Sequence, residues 1–155
     1  LGILPSSVFT AERKILEKNT ADLFSGIFNY GDVIATIEVN RVCPIKIREL
    51  VLIGLTGAAK LDYIKQDLTL FVLDNAKTAY MNSDKHMTQI GAGIEIKPFF
   101  TKKEPLKVEI IHFINCIKNG ETPFVSGRDA LAAVAAVEAS NRSSTTGKIE
   151  LIEIP

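Results

Sequence analysis

Residues that commonly hold metals or carry redox chemistry are scarce in this sequence. It contains two cysteines and two histidines among 155 residues. Cys43 and Cys116 are far apart, and neither they nor the histidines have the spacing of a metal site. We expect both cysteines to be free thiols in a reducing cytoplasm. The sequence therefore predicts no metal site.

A net charge is also absent, because 18 lysines and arginines balance 18 aspartates and glutamates. Such a balance argues against electrostatic attraction to nucleic acid or to an anionic membrane. The longest apolar runs are far shorter than the roughly 20 residues that a membrane-spanning helix needs. We therefore expect neither a nucleic-acid partner nor a membrane partner.

Motifs of nucleotide binding and of nucleophilic catalysis are missing as well. Gly91-Ala92-Gly93 precedes a predicted strand, whereas a phosphate-binding glycine turn must open a helix. No serine or cysteine can be assigned a histidine and a third supporting residue. The sequence predicts no catalytic residue and no cofactor-binding residue in this chain.

The two histidines each allow two interpretations. His112 falls beside the apolar stripe of a predicted helix, where a packed or rim position is favoured over a ligand role. His86 lies in a polar stretch next to Asp84 and Lys85. For His86, a solvated surface position is favoured over a place in a site that this stretch covers.

Strand patterns dominate the chain before Glu104. Residues 33–39 are rich in β-branched side chains and follow a turn at Tyr30-Gly31-Asp32, which predicts a hairpin with residues 20–30. Cys43-Pro44 ends the second strand of this hairpin. Residues 75–89 have no clear period and are interpreted as a loop. Further strands, joined by short turns, are predicted within residues 6–18, 46–53, 58–65, 67–73 and 90–100.

The chain from Glu104 onwards predicts two helices. The first ends before Gly120 and has an apolar stripe that we expect to lie on a core. The members of this stripe recur at helical spacing: Leu106, Ile110, Phe113, Ile114 and Ile117.

A second helix is predicted from Ser126, with Asp129 in the capping-box position, to the sequence Thr145-Thr146-Gly147. A narrow apolar face within its alanine-rich run is expected to approach another layer. That face consists of Leu131, Val134 and Val137. Residues 148–154 then alternate as a strand that is exposed on one side.

The order of these elements predicts an α+β fold. We expect a mainly antiparallel open sheet of about six to eight strands, with the two C-terminal helices packed on one face. Residues 1–155 are long enough for a single domain with its own core. Because Leu1 is not Met and the first residues begin as if cut from a longer chain, we expect a fragment or a processed product.

The most charged point within the apolar strands is the segment from Asn40 to Arg48. Arg41, Lys46 and Arg48 lie near a strand break, and together they predict a site for a carboxylate or a phosphate. The alternative is that Arg48 pairs with Glu49 or with a cross-strand acid on the wet face of the sheet. The neighbouring strand offers polar side chains that can complete the site: Asp62, Tyr63 and Gln66.

Seven segments, in their order along the chain, carry a resemblance to a known family: residues 34–40, 44–50, 54–63, 104–107, 113–120, 125–130 and 145–148. Over nearly its whole length the chain resembles the C-terminal domain of the Gfo/Idh/MocA oxidoreductases, and within them it is most similar to sugar-nucleotide dehydrogenases that act on UDP-N-acetylglucosamine or a related uronate.

This resemblance implies a two-domain NAD(P)-dependent enzyme whose Rossmann domain binds NAD or NADP and supplies a Glu-Lys-Pro motif. The lysine of that motif assists proton transfer. Neither the Rossmann domain nor the motif is in this sequence, so we expect this chain alone to bind no nicotinamide and to catalyse nothing. Its role would be to bind the sugar or sugar-nucleotide substrate and to form a homo-oligomer through the sheet.

Within this interpretation the substrate-binding residues are expected to be Asn40, Arg41, Lys46, Arg48 and Tyr63. The alternative is a non-enzymatic α+β module that associates with itself or with a partner through its sheet face.

Overall fold

The computed structural model describes residues 4–16, 19–73 and 93–154. The predicted loop over residues 75–89, with His86, lies outside these residues, as do Gly91 and Ala92. The chain divides into two compact units, which are Leu1–Pro44 with Lys107–Pro155, and Ile45–Leu106. We call them unit 1 and unit 2 and describe each by itself.

Unit 1 contains a four-stranded antiparallel sheet, sheet A, in the order β3-β2-β1-β8. Tyr30 pairs with Val33 around a two-residue turn. The predicted hairpin is therefore confirmed, and Gly31 has the positive φ that such a turn requires. The strands are β1 (Ser7–Arg13), β2 (Leu23–Tyr30), β3 (Val33–Asn40) and β8 (Glu150–Leu151).

Two helices follow the predicted boundaries closely: α1 (Pro105–Asn119) and α2 (Gly127–Thr146). Ser126 and Asp129 form the predicted capping box, and Gly147 ends α2 in the left-handed conformation. Neither helix combines the length and the apolar character that a membrane crossing requires within the described part of the chain.

Helix α2 packs on β1 through its small side chains, and this corrects the predicted apolar face. Leu131, Val134 and Val137 are exposed. Small side chains let the helix backbone come close to the sheet, where Val8 and Phe28 fill the space beneath Ala139. The buried face of α2 consists of Ala132, Ala135, Ala139, Ser140 and Ser143.

Buried hydroxyl groups fasten α2 to β1. The Thr10 hydroxyl donates to the carbonyl of Ser140 at 2.6 Å, and the Thr10 amide donates to Oγ of Ser143 at 3.0 Å. Strand β8 is only two residues long and pairs with Ser7 and Val8. Ser143 therefore satisfies a β1 amide just beyond the point where that pairing ends.

Helix α1 differs from α2, because its apolar stripe is exposed in the described structure. Leu106, Phe113 and Ile117 are all largely accessible, and Cys116 is the buried side chain of this helix.

Unit 2 contains a second antiparallel sheet, sheet B, in the order β4-β5-β6-β7. The expected α+β class is confirmed, with the eight described strands divided into two sheets of four. Gly57 opens the second strand, and a side chain there would overlap the carbonyl oxygen of Phe71. The strands are β4 (Glu49–Gly54), β5 (Gly57–Asp62), β6 (Asp67–Val72) and β7 (Ile94–Ile96).

Candidate functional site

The five predicted site residues are divided between the two units. Asn40 ends β3 and Arg41 follows it, both in unit 1, whereas Lys46, Arg48 and Tyr63 lie in unit 2. Each group therefore has to be judged by its own contacts.

Asn40 shapes the turn that follows β3. Its Oδ1 atom accepts hydrogen bonds from the amides of Val42 and Cys43, both at 3.0 Å. Such Asx turns are a common local use of asparagine. The side-chain oxygen is therefore engaged in holding the backbone, while the residue as a whole is exposed.

Arg41 contacts a buried carboxylate that sequence reasoning missed. Its amide donates to the carbonyl of Asp22 at 2.8 Å, and its Nε lies 3.8 Å from Oδ1 of Asp22. The Asp22 side chain is fully buried, and Oδ2 accepts from the amides of Ile15 and Leu16 at 2.7 and 2.8 Å. Arg41 thus has a structural partner, and about half of its side chain stays accessible.

The register of the hairpin could have predicted from the sequence that Asp22 lies opposite Arg41. A two-residue turn after Tyr30 pairs Leu23 with Asn40. Continuing this register by one residue places Asp22 opposite Arg41. The pair follows from the turn length once the strands are extended to their full length.

Arg48 and Tyr63 form a cross-strand pair in unit 2. The amide of Tyr63 donates to the carbonyl of Arg48 at 2.9 Å, which continues the ladder one step beyond the pairing of Glu49 with Asp62. Residues opposite each other in a ladder project from the same face. Arg48 and Tyr63 are both exposed, and the register directs the guanidinium and the phenol to the same face of sheet B.

The alternative reading of Arg48 as the partner of Glu49 is wrong. Glu49 pairs instead with Lys60, with 3.1 Å between Oε2 and Nζ. Successive residues of a strand project from opposite faces, so Glu49 and Arg48 point away from each other. Among the described residues, no carboxylate pairs with the Arg48 guanidinium.

The two faces of sheet B have opposite character. The register places on one face a continuous set of apolar side chains, which we call the aliphatic face, and Arg48 and Tyr63 stand at its end. Most of these side chains are partly or largely accessible. The aliphatic face consists of Leu50, Leu52, Ala59, Leu61, Leu68, Leu70, Val72, Ile94 and Ile96.

The opposite face of sheet B carries paired charges beside the exposed apolar side chains of Val51, Ile53 and Phe71. Lys65 bonds to Asp62 at 3.1 Å, and Lys97 bonds to Glu95 at 2.8 Å. The bond from the Lys65 amide holds the pKa of Asp62 below its ordinary value, and the bond to Asp62 raises the pKa of Lys65. The bond to Glu95 likewise raises the pKa of Lys97. These charges neutralise one another, whereas the Arg48 guanidinium has no carboxylate partner among the described residues.

Gln66 and Asp62 do not complete the predicted anion site. The Gln66 amide forms two hydrogen bonds with the backbone of Lys103, at 2.9 and 3.2 Å. Asp62 accepts from the amides of Ile64 and Lys65 and shapes the turn between β5 and β6. Within the described residues, no group of three His, Cys, Asp or Glu side chains is arranged to hold a metal ion.

Comparison with known proteins identifies related folds. The sequence matches no protein-family profile and no curated protein. Many solved structures resemble the chain, and three of them serve as examples. UDP-N-acetylglucosamine 3-dehydrogenase GnnA from Acidithiobacillus ferrooxidans covers 95% of it at 15% identity, with a TM-score of 0.74. Aldose-aldose oxidoreductase from Caulobacter crescentus, complexed with glycerol, covers 97% at 17% identity, with a TM-score of 0.73. The WlbA dehydrogenase from Bordetella pertussis, solved with NADH and UDP-GlcNAcA, covers 98% at 15% identity, with a TM-score of 0.63.

The chain spans 42%, 42% and 40% of the lengths of these three proteins. Identities this low establish a shared fold. By name these three proteins are dehydrogenases or oxidoreductases, and each shares its fold with the chain over less than half of its own length. The resemblance drawn from the sequence is therefore confirmed at the level of the fold.

Proposed function

We propose that this chain is the substrate-binding and oligomerisation domain of an NAD(P)-dependent sugar or sugar-nucleotide dehydrogenase. The observation that carries the proposal is the shared fold, in which 95% to 98% of this chain matches 40% to 42% of each dehydrogenase or oxidoreductase. A match over nearly the whole chain and under half of the neighbour is what a substrate domain of a two-domain enzyme would give.

Such an enzyme would use the nicotinamide held by its cofactor domain to oxidise a sugar hydroxyl, and a base of that domain would take the hydroxyl proton. The present chain positions the sugar and its anionic group. That WlbA was solved with NADH and UDP-GlcNAcA supports a nicotinamide cofactor and a sugar-nucleotide ligand as the relevant chemical classes. The chain by itself is expected to do no redox chemistry.

The Arg48–Tyr63 pair is the best-supported part of the proposed substrate site. A guanidinium without a carboxylate partner can hold a phosphate or carboxylate through two parallel hydrogen bonds. The neighbouring phenol adds a donor, and the adjoining aliphatic side chains reduce competition from water. Lys46, exposed in the same unit, supplies a second cation. Asn40 and Arg41 are secondary candidates, because both already stabilise the backbone of unit 1.

Ligand titration into the full-length parent protein tests this assignment. Arg48→Met keeps much of the side-chain volume and removes the charge, and we expect about 10-fold to 100-fold weaker binding of a sugar nucleotide by calorimetry. Lys60→Met is the matched control, since it removes one cation from the opposite face of the same sheet. Equal affinity in the two variants would remove Arg48 from the site.

The aliphatic face supports the oligomerisation part of the proposal. Exposed contiguous apolar patches on folded domains commonly mark protein interfaces. An uncharged face can pack against the same face of a second copy about a two-fold axis without placing like charges together. The paired charges of the opposite face suit contact with water.

A non-enzymatic module that associates through the aliphatic face is the second candidate, since that face is equally available to it. The coding sequence upstream of Leu1 separates the two. A βαβ unit with a glycine-rich turn and a Glu-Lys-Pro motif there would establish the enzyme, and a start codon at Leu1 would favour the module.

A further inference from the structure

A histidine joins helix α1 to the link that leads into helix α2. The Nε2 atom of His112 lies 3.1 Å from the amide nitrogen of Phe124 and accepts its hydrogen. The His112 and Phe124 rings also meet edge to face, with centroids 6.4 Å apart. This one imidazole therefore holds the backbone of the link two residues before the Ser126 cap.

The direction of this hydrogen bond determines the charge state of the ring. A backbone amide can only donate, so Nε2 must carry no proton and the ring must be neutral, with its hydrogen on Nδ1. A doubly protonated imidazolium has no acceptor and would point one N–H at another. Protonation of His112 and the bond to Phe124 therefore exclude each other.

We propose that His112 is an acid-sensitive latch on the link between α1 and α2. At neutral pH the imidazole holds the Phe124 backbone, and protonation releases it. The released segment carries the exposed side chains of Phe124 and Val125, so acid would free an apolar tip that is otherwise held in one place.

We assign the response to acid to His112 after considering the other titratable groups near its ring. The buried thiol of Cys116 is one turn further along α1, with Sγ 3.7 Å from Nε2. The sequence also places carboxylates at Glu109, one turn earlier on α1, and at Glu121 in the link. At the start of α2, the Asp129 carboxylate is engaged with Ser126 at 2.6 and 2.7 Å.

The link also contains an internal control. The amide of Glu121 donates to the carbonyl of Cys116 at 3.0 Å, which is a backbone bond with no titrating partner. Acid should therefore loosen the link at Phe124 and leave the Glu121 hydrogen bond in place.

Hydrogen exchange of individual amides in the 155-residue chain tests the latch. Between about pH 7.5 and about pH 5, where imidazoles change charge, protection of the Phe124 amide should fall about fivefold after correction for intrinsic exchange, the equivalent of one ordinary hydrogen bond. Protection of the Glu121 amide should stay constant.

Two variants make the test specific. Gln has an oxygen near the place of Nε2 and does not titrate, so His112→Gln should keep Phe124 protected at both pH values. His112→Phe has no acceptor and should leave Phe124 unprotected at both. The proposal fails if Phe124 protection in the unmodified chain is the same at both pH values, or if His112→Gln loses it on acidification as the unmodified chain does.

Discussion

Sheet A and sheet B are both four-stranded and antiparallel, yet they use their faces differently. Sheet A buries one face beneath α2, where Val8, Phe28 and Ala139 form the core. Sheet B places its charges on one face and leaves its aliphatic face accessible. Sheet A also leaves apolar side chains accessible, among them Phe9, Ile27 and Ile34, so the difference between the two sheets is the packed core beneath α2.

The largest expected effect comes from removing matched aromatic side chains from the two sheets. Phe28 is 6% exposed and Phe71 is 41% exposed. Phe28→Ala should lower the free energy of unfolding by about 3–5 kcal/mol, because it empties the core of sheet A. Phe71→Ala should cost less than half as much. Denaturant unfolding followed by circular dichroism measures both free energies. Equal losses would contradict the distinction between the packed core of sheet A and the exposed faces of sheet B.

The second-largest expected effect on stability comes from removing the hydroxyl contact between α2 and sheet A. Ser143→Ala leaves the Thr10 amide without its acceptor in a buried place, and we expect a loss of about 1–3 kcal/mol. Ser144→Ala is the control, because that hydroxyl makes only a local bond to the Asn141 carbonyl. Unfolding midpoints of the two variants that coincide would show that this contact does not stabilise unit 1.

Charge on the aliphatic face should weaken self-association. Leu52 belongs to that face, whereas its neighbour Ile53 projects from the other and is 86% exposed. We expect Leu52→Asp to raise the dissociation constant at least tenfold, about 1.4 kcal/mol, and Ile53→Asp to change it little. Sedimentation velocity reports both, and a monomeric unmodified chain would remove the proposed interface.

The smallest effect concerns the cap of α2. The hydrogen bond from Ser126 holds the pKa of Asp129 below its ordinary value of 3.8. A lowered carboxyl pKa means that the stabilisation is present above pH 3.8 and is lost as the pH falls through the folded value. Asp129→Asn should therefore make the free energy of unfolding depend less on pH below that value. An NMR titration that returns an ordinary pKa for Asp129 would contradict this.

Much of the local structure was predictable because it depends on neighbours in the chain. The capping box at Ser126 and the hairpin at Gly31 each need only a few adjacent residues with the right hydrogen bonds or φ angle. The strand β8 was predicted too long, since an alternating pattern does not say how far a partner strand extends.

The candidate site was predictable only in part. Arg48 and Tyr63 were both named from the sequence, but Asn40 and Arg41 turned out to stabilise the backbone of unit 1, and Gln66 is engaged with Lys103. Which polar group is left available depends on where every competing donor and acceptor lies, and that is decided by contacts distant in sequence.

The sequence by itself determined the α+β class, the helix boundaries and the turns, because each follows from local periodicity and capping. Only the tertiary structure decided that α2 buries alanine and serine rather than Leu131 and Val134, and that Arg48 stands beside Tyr63 on the aliphatic face. The physical reason is that a face becomes buried, and a charge finds or lacks a partner, through register and layer packing between distant segments.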